Sequence, residues 1–151
     1  PGIKLDSTVG IMKAYSSCVG EGPFTVEMDG DEAEALRKAG GEYGAATWRP
    51  RRVGAFDAVA SRYGIRCQGA DKIALTKLDV LSYLDSIPVC VAYEIDGKRV
   101  DGWKCDISGC RSMDELPREA ADYIRFIEKL VGQEMWLISV GAEREAYFYR
   151  K

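Results

Sequence analysis

Apolar residues recur at helical spacing near the end of the chain, in residues 117–131. Four of them lie three or four positions apart and would share one face of a helix: Ala120, Ile124, Ile127 and Val131. Pro117 suits the first turn, because its φ is already helical and it has no N–H to leave unpaired. Gly132 suits the end, because glycine readily adopts the left-handed conformation found there. The pattern therefore predicts a helix over residues 117–131.

Two shorter segments also have a helical pattern. Residues 31–39 begin with two acidic side chains, which favour a helix N-terminus, and Gly40 follows as a stop. Residues 55–63 place four side chains on one apolar face: Phe56, Val59, Ala60 and Tyr63. We expect Gly64 to end this second helix.

The other apolar runs are short and typical of strands. Extended segments are expected at residues 7–19, 72–76, 88–94 and 135–140. Asp96 and Gly97 form a turn signal between residues 93–95 and 98–100, which predicts a hairpin. Strands that alternate with helices predict an α/β fold, with a mostly parallel sheet and flanking helices.

The composition is that of a globular protein, and the length is that of a single domain, residues 1–151. Apolar residues make up 46% of the chain and charged residues 30%, and the formal net charge is −3. This charge does not favour nucleic acid as a partner. No apolar run is long enough to span a membrane and no signal peptide is visible, so we expect a cytoplasmic protein. Because residue 1 is Pro rather than Met, we expect either a processed chain or a piece of a longer protein, and we favour the piece.

The chain contains five cysteines and no histidine. The cysteines are odd in number and form no Cys-X-X-Cys pair, so no zinc site is expected. We expect reduced, mostly buried thiols, as in a cytoplasmic protein. The absence of histidine removes the side chain that most often acts as general acid or base near neutral pH.

The most informative polar segment is Thr76-Lys77-Leu78-Asp79, which follows a predicted strand directly. Ligands of α/β sheets bind beyond the carboxyl ends of the strands, so Lys77 and Asp79 are placed where a ligand would lie. The Asp79 carboxylate could accept two hydrogen bonds from N1–H and the 2-amino group of guanine, whereas adenine offers no such pair of donors. The alternative is an exposed Lys-Asp pair at the end of a strand.

Two other segments could complete a binding site. Ser139 and Gly141 lie at the end of the last predicted strand, where a hydroxyl and an open glycine backbone could line a base pocket. Arg49, Arg51 and Arg52 flank a proline and could bind phosphate or carboxylate groups. The alternatives are a simple turn and a solvated basic cluster. No Gly-X-X-X-X-Gly-Lys phosphate loop occurs in the chain.

Taken in this order, these segments resemble the C-terminal part of adenylosuccinate synthetase. The matching stretches are Val-Gly-Glu-Gly-Pro-Phe at 19–24, Gly-Glu-Tyr-Gly at 41–44, Arg-Pro-Arg-Arg-Val-Gly at 49–54, Phe-Asp-Ala-Val at 56–59, Ala-Leu-Thr-Lys-Leu-Asp-Val at 74–80, Val-Cys-Val-Ala-Tyr-Glu at 89–94, Asp-Ile-Ser-Gly at 106–109, and Ser-Val-Gly at 139–141 with Arg144. Each stretch alone is unspecific, but the combination covers nearly the whole chain.

The resemblance implies a GTP-dependent ligase of purine nucleotide synthesis. Such an enzyme joins IMP to L-aspartate in the presence of Mg²⁺ and yields adenylosuccinate, GDP and phosphate. The resemblance assigns GTP binding to Arg51, Lys77, Asp79, Ser139 and Gly141. It assigns IMP and aspartate binding to Val19, Thr47 and Arg49. It also implies a cytoplasmic homodimer.

The sequence departs from the family at the substrate loop, where Ala46-Thr47-Trp48-Arg49 replaces the usual Thr-Thr-Gly-Arg. The phosphate loop, catalytic Asp and catalytic His of the family's N-terminal part do not occur in these 151 residues. We therefore expect no catalytic residue and no magnesium ligand here, and no phosphate transfer by this chain alone. Three hypotheses remain: a part of a working synthetase, a non-catalytic relative that binds a guanine nucleotide or a protein, and an α/β domain without a ligand.

Overall fold

The computed structural model describes residues 5–92, 98–101, 103 and 105–150, and of residues 98–101 it describes the backbone alone. In chain order the elements are β1 (Val9–Lys13), β2 (Ser16–Cys18), α1 (Gly30–Gly40), β3 (Arg52–Gly54), β4 (Phe56–Asp57), α2 (Ala58–Gln68), β5 (Lys72–Thr76), a 3-10 helix (Asp79–Tyr83), β6 (Ser86–Cys90), β7 (Lys98–Asp101), α3 (Arg118–Val131), β8 (Met135–Ser139) and β9 (Tyr147–Tyr149).

The main sheet has four strands in the order β1-β5-β8-β9. The first three run parallel, with Ile11 opposite Ala74 and Ala74 opposite Leu137, and β9 runs antiparallel to β8. A two-stranded sheet joins β2 to β3, and a three-stranded sheet has the order β4-β6-β7. The expected α/β fold with a mostly parallel sheet and helices is confirmed. The carboxyl ends of β5 and β8 consequently lie side by side.

Helix α3 has the buried stripe that its spacing predicts, since Ala120, Ile124, Ile127 and Val131 are all buried. Its last residue is Val131, and Gly132 follows with a φ of 74°. These side chains join apolar residues of the main sheet in one core cluster, among them Ile73, Leu75, Met135 and Ile138. The helix is therefore held in place mainly by burial of one face.

The second predicted helix is displaced along the chain. Residues 56 and 57 form β4, which pairs with β6, and α2 begins at Ala58. The Asp57 carboxylate caps this helix by accepting the N–H groups of Val59 at 3.0 Å and Ala60 at 2.9 Å. The predicted stop at Gly64 is wrong, because the helix continues to Gln68 and ends at Gly69, which has a φ of 58°. The predicted apolar face is also wrong, since Ala60 and Tyr63 are exposed and Phe56 lies in β4 rather than in the helix.

The other bounds differ by smaller amounts. Residues 7–19 contain two strands rather than one, because the chain turns after Lys13 and β2 joins a different sheet. Helix α1 includes Gly40, and its C-terminal cap is Gly41, with a φ of 61°. Strand β5 has the predicted bounds, β6 is shifted to Ser86–Cys90, and β8 ends one residue early. The predicted hairpin turn at Asp96 and Gly97 lies outside the described residues, although β6 and β7 do pair antiparallel.

The cysteines are free, as expected, but the expectation that most are buried is wrong. Cys67 and Cys105 are exposed, and the other three are half-buried. In the described ranges, no helix has the length and apolar character needed to cross a membrane.

Candidate functional site

Two parallel neighbours of the main sheet bring the predicted base-reading residues to one edge. Lys77 and Asp79 follow β5, and Ser139 and Gly141 lie at the end of β8. The Leu78 N–H donates to the carbonyl oxygen of Ser139 at 3.4 Å, which ties the two strand ends together. The Ser139 hydroxyl donates to the Gly141 carbonyl at 3.3 Å. The structure therefore brings these four residues into one neighbourhood.

Asp79 opens the 3-10 helix and is half-buried at this edge. Burial raises the pKa of its carboxyl above the ordinary value, although backbone N–H groups and the Lys77 ammonium counter this effect and the nearby Asp106 charge adds to it. A ligand that donated hydrogen bonds to Asp79 would stabilise the ionised carboxylate. The environment thus suits a ligand with N–H donors.

A third segment reaches the same edge beside Gly141. A Cβ atom on Gly141 would lie 3.0 Å from the Ala146 Cβ and 3.7 Å from the Ser108 Cβ, so the backbone approaches closely there. The Asp106 carboxylate accepts the Ser108 N–H at 2.9 Å and orders this loop. From the sequence, Asp106 and Ser108 belonged only to the family-like stretch at 106–109, and no role was predicted for either residue.

The arginine loop is a compact turn between Tyr43 and Pro50, which form an isolated antiparallel bridge. The Trp48 N–H donates to the Gly44 carbonyl at 2.8 Å, and the Gly44 N–H donates to the Arg49 carbonyl at 2.9 Å. Gly44 permits this close packing, because a Cβ there would lie 2.8 Å from the Thr47 hydroxyl oxygen. The tip of the loop is exposed.

A cavity of about 380 Å³ lies beside this loop, a volume within the range of small-molecule sites. Its lining includes all three predicted substrate-binding residues and two further arginines: Val19, Thr47, Arg49, Arg51 and Arg52. The Arg49 guanidinium makes no ion pair within the part of the chain that the structure describes. Arg52 is occupied by Glu27, with N–O distances of 2.7 and 2.5 Å. Arg49 is thus open to an anionic ligand, whereas Arg52 is held by the protein.

Glu42 connects the two groups of residues, and sequence reasoning missed it. Its side chain is 1% exposed and accepts hydrogen bonds from Lys13 Nζ at 2.7 Å, the Tyr15 hydroxyl at 2.5 Å and Arg51 Nη1 at 3.0 Å. Burial alone would raise the pKa of Glu42, but the hydrogen bonds from Lys13, Tyr15 and Arg51 outweigh it and lower the pKa. Glu42 is therefore an ionised carboxylate among cations.

The family of the chain follows from comparison with known proteins. The model of the family described as adenylosuccinate synthetase matches residues 1–148. This chain belongs to the adenylosuccinate synthetase family.

Several adenylosuccinate synthetases are similar over almost the whole chain. The enzyme of Aquifex aeolicus is 42% identical over 95% of this chain and 38% of its own length. That of Synechococcus elongatus is 44% identical over 93% of this chain and 36% of its own. The solved structure of fully ligated adenylosuccinate synthetase from Plasmodium falciparum matches 97% of this chain and 40% of that chain, with a TM-score of 0.90 and 37% identity. This chain thus spans about two fifths of the length of these adenylosuccinate synthetases.

The residues expected from the family resemblance fall into two groups in the structure. Lys77, Asp79, Ser139 and Gly141 meet at the strand ends, whereas Val19, Thr47 and Arg49 line the cavity. Arg51 lines the cavity and also contacts Glu42. The only local sequence signal for Glu42 was a charged residue within the glycine-containing segment 40–44, and its partners Lys13 and Arg51 lie outside that segment.

Proposed function

We propose that this chain supplies the guanine pocket and the aspartate/IMP loop of a GTP-dependent ligase that joins IMP to L-aspartate and forms adenylosuccinate, GDP and phosphate. The observation that carries the proposal is the convergence of Lys77 and Asp79 with Ser139 and Gly141 at adjacent strand ends, in a chain of the adenylosuccinate synthetase family. The larger protein would supply the remaining active site, so no catalytic residue is assigned to this chain.

The guanine pocket would discriminate through Asp79. The carboxylate would accept N1–H and the 2-amino group of guanine, while Ser139 and Gly141 would line the pocket beside it. Adenine would not supply these two donors to the half-buried carboxylate, and each lost hydrogen bond to a charged group weakens binding by about 1.5–3 kcal/mol. The stem of Lys77 would lie along the base.

The cavity beside the arginine loop would take the anionic substrates. Arg49 would bind the aspartate carboxylate and lie near IMP, Thr47 would add a hydroxyl, and Val19 would border the aspartate site. Arg51 would extend toward the GTP phosphates. Fixed positive groups of this kind stabilise the charge on a transferring phosphoryl group.

Magnesium and a second subunit complete the proposal. Mg²⁺ would neutralise phosphate charge during the transfer. Among the described residues, no group of three or more His, Cys, Asp or Glu side chains could hold a metal ion, so none is assigned as a ligand. The whole protein would act as a cytoplasmic homodimer.

Calorimetry with GDP and ADP tests the guanine pocket. We expect the chain to bind GDP at least about a hundredfold more tightly than ADP, because two hydrogen bonds to a carboxylate distinguish the bases. Asp79→Asn should reduce this preference by at least about tenfold, since the amide accepts only one of the donors. The exposed Asp122 of α3 offers a matched control, Asp122→Asn, which should keep the preference. Equal binding of GDP and ADP, or no binding of either, would refute the proposed pocket.

A second candidate is a non-catalytic relative that binds a guanine nucleotide or a protein. Trp48 favours it, because a bulky side chain with a φ of 53° stands where the family loop has glycine. Restoring the family loop with Ala46→Thr and Trp48→Gly separates the candidates. Aspartate binding that only the restored loop shows would support the non-catalytic relative, and aspartate binding by the natural loop would support the ligase.

A further inference from the structure

The turn at residues 40–42 lies between the two proposed groups of ligand-binding cations. The Lys77 ammonium donates to the Gly40 carbonyl at 2.5 Å, so the C-terminal end of α1 fixes the residue that follows β5. Gly40 permits this arrangement, because a Cβ there would lie 2.4 Å from the Tyr15 hydroxyl oxygen. Lys77 itself has a φ of 59°, a conformation that needs support from its surroundings.

Both carboxylate oxygens of Glu42 are engaged. Oε1 accepts Lys13 and Tyr15 and lies 4.0 Å from the Lys77 ammonium, while Oε2 accepts Arg51. The backbone adds a second link, because the Arg51 N–H donates to the Glu42 carbonyl at 2.9 Å. The buried Glu42 carboxylate therefore faces both Lys77, which is proposed to contact the base, and Arg51, which is proposed to contact the phosphates. Such a charge is tolerated only with good partners.

Another largely buried ion pair shows what a purely structural role looks like. Glu128, whose side chain is 14% exposed, accepts Arg150 and the Met135 N–H, and so ties α3 to β8 and to the residue after β9. None of these groups belongs to the proposed site. Glu42 differs because two of its partners, Arg51 and Lys77, are proposed to bind the nucleotide.

We propose that Glu42 is a positioning residue that fixes Arg51 and Lys77 relative to each other, so that the base and the phosphates of one guanine nucleotide meet a preset pair of cations. This inference rests on the proposed guanine pocket. Glu42 itself would not touch the nucleotide, because its side chain is buried beneath its partners. It would hold the two long side chains in place before the nucleotide arrives. They would then lose less conformational freedom when the nucleotide binds.

The sign of the effect separates positioning from simple electrostatics. Glu42→Gln removes a negative charge near an anionic ligand, so Coulomb attraction alone would make GDP bind more tightly. Loss of a preset geometry would instead make GDP bind more weakly. We expect GDP affinity to fall about tenfold, a size common for coupling between residues in contact.

A double-mutant cycle tests whether Glu42 affects GDP binding through Arg51. We expect Glu42→Gln to weaken GDP binding about tenfold in the natural chain but less than about threefold in an Arg51→Met background, because part of the effect passes through Arg51. The same loss in both backgrounds, unchanged affinity or tighter binding would overturn the inference. Glu128→Gln is the matched control, and it should lower the thermal midpoint without changing GDP affinity.

One measuring condition and one further variant keep the outcome interpretable. Binding is measured at one temperature for all variants, about 20 °C below the lowest of their unfolding midpoints, because destabilisation shifts a midpoint by several degrees per kcal/mol. If Glu42→Gln does not fold, Glu42→Asp keeps the charge but withdraws it by one methylene, and we expect weakened binding from it as well. Failure of the natural chain to bind GDP would refute the proposed pocket, whereas GDP binding that Glu42→Asp leaves intact would refute only the positioning role.

Discussion

At the scale of single residues, backbone strain marks the two proposed binding segments. Among the residues that the structure describes, Trp48 and Lys77 are the non-glycine residues with positive φ, 53° and 59°. This conformation is unfavourable for L-residues and is often kept at functional sites. Lys77 is stabilised by its hydrogen bond to Gly40, whereas the Trp48 side chain is 77% exposed. Folding alone therefore gives little reason for Trp48 at this position.

Trp48→Gly should stabilise the fold. Glycine removes a left-handed penalty of about 1–2 kcal/mol and loses about 0.5–1 kcal/mol through its freer unfolded chain, which leaves a gain of about 0.5–1 kcal/mol. Urea unfolding monitored by circular dichroism measures this gain. Trp48→Ala removes the same indole but keeps a Cβ at the same φ, so it should give no such gain. Equal stabilisation by both variants would assign the effect to the exposed ring instead.

At the scale of elements, α2 depends on one capping side chain. Asp57 closes β4 and accepts two N–H groups from the first turn of the helix. Asp57→Ala should destabilise the chain by about 1 kcal/mol, the usual effect of losing such a cap. Asp57→Asn keeps an oxygen acceptor and should retain most of the stability. Chemical denaturation of the three proteins makes the comparison, and an equal loss in both variants would show that the carboxylate charge, not the cap, stabilises this junction.

Elements with strong local signals could be predicted from the sequence, and elements defined by their partners could not. The bounds of β5 and the buried stripe of α3 follow from apolar runs with clear ends. In contrast, β2, β3, β4 and β9 have two or three residues each, too few for a periodic pattern. These short strands form where the folded chain offers a partner.

The site divides in the same way. The position of Lys77, Asp79, Ser139 and Gly141 at one edge of the sheet was predictable, because they lie at or just after the ends of two recognisable apolar strands. Glu42 was not, since Lys13 and Arg51 lie 29 and 9 residues away and reach it only in the folded chain.

At the scale of the whole molecule, several carboxylates favour the folded state near neutral pH. Hydrogen bonds from Arg52, Arg37 and the Ser108 backbone lower the pKa values of Glu27, Glu34 and Asp106. Glu42 is shifted in the same direction despite its burial. Carboxylates with lowered folded pKa values stabilise the fold above the ordinary glutamate pKa, about 4.3, and lose this contribution as the pH falls through the folded values.

Asp79 has the opposite sign, because burial raises the pKa of its carboxyl. Its ionised form destabilises the fold above the raised pKa, and the effect vanishes below the ordinary aspartate pKa, about 3.9. A residue that serves binding at the expense of stability is a common feature of functional sites. Asp79 thus fits a residue whose unfavourable effect on folding is offset when a ligand binds to it.

These opposite signs predict opposite pH profiles for two variants. At pH 7, Glu42→Gln should unfold at lower urea concentration than the natural chain and Asp79→Asn at higher concentration. The Asp79→Asn difference should shrink as the pH falls through the raised pKa of Asp79 and should vanish below about 3.9, the ordinary aspartate value. The Glu42→Gln difference should shrink below about 4.3, the ordinary glutamate value, because the carboxylate of the unfolded chain is protonated first. Urea midpoints at half-unit pH intervals measure this convergence.

A Glu42→Gln deficit that stays constant down to pH 3 would mean that the shape of Glu42, not its charge, holds residues 40–42 in place. Destabilisation by Asp79→Asn at pH 7 would mean that the folded chain already satisfies the Asp79 carboxylate, and the site would then lack the unmet acceptor on which guanine recognition depends.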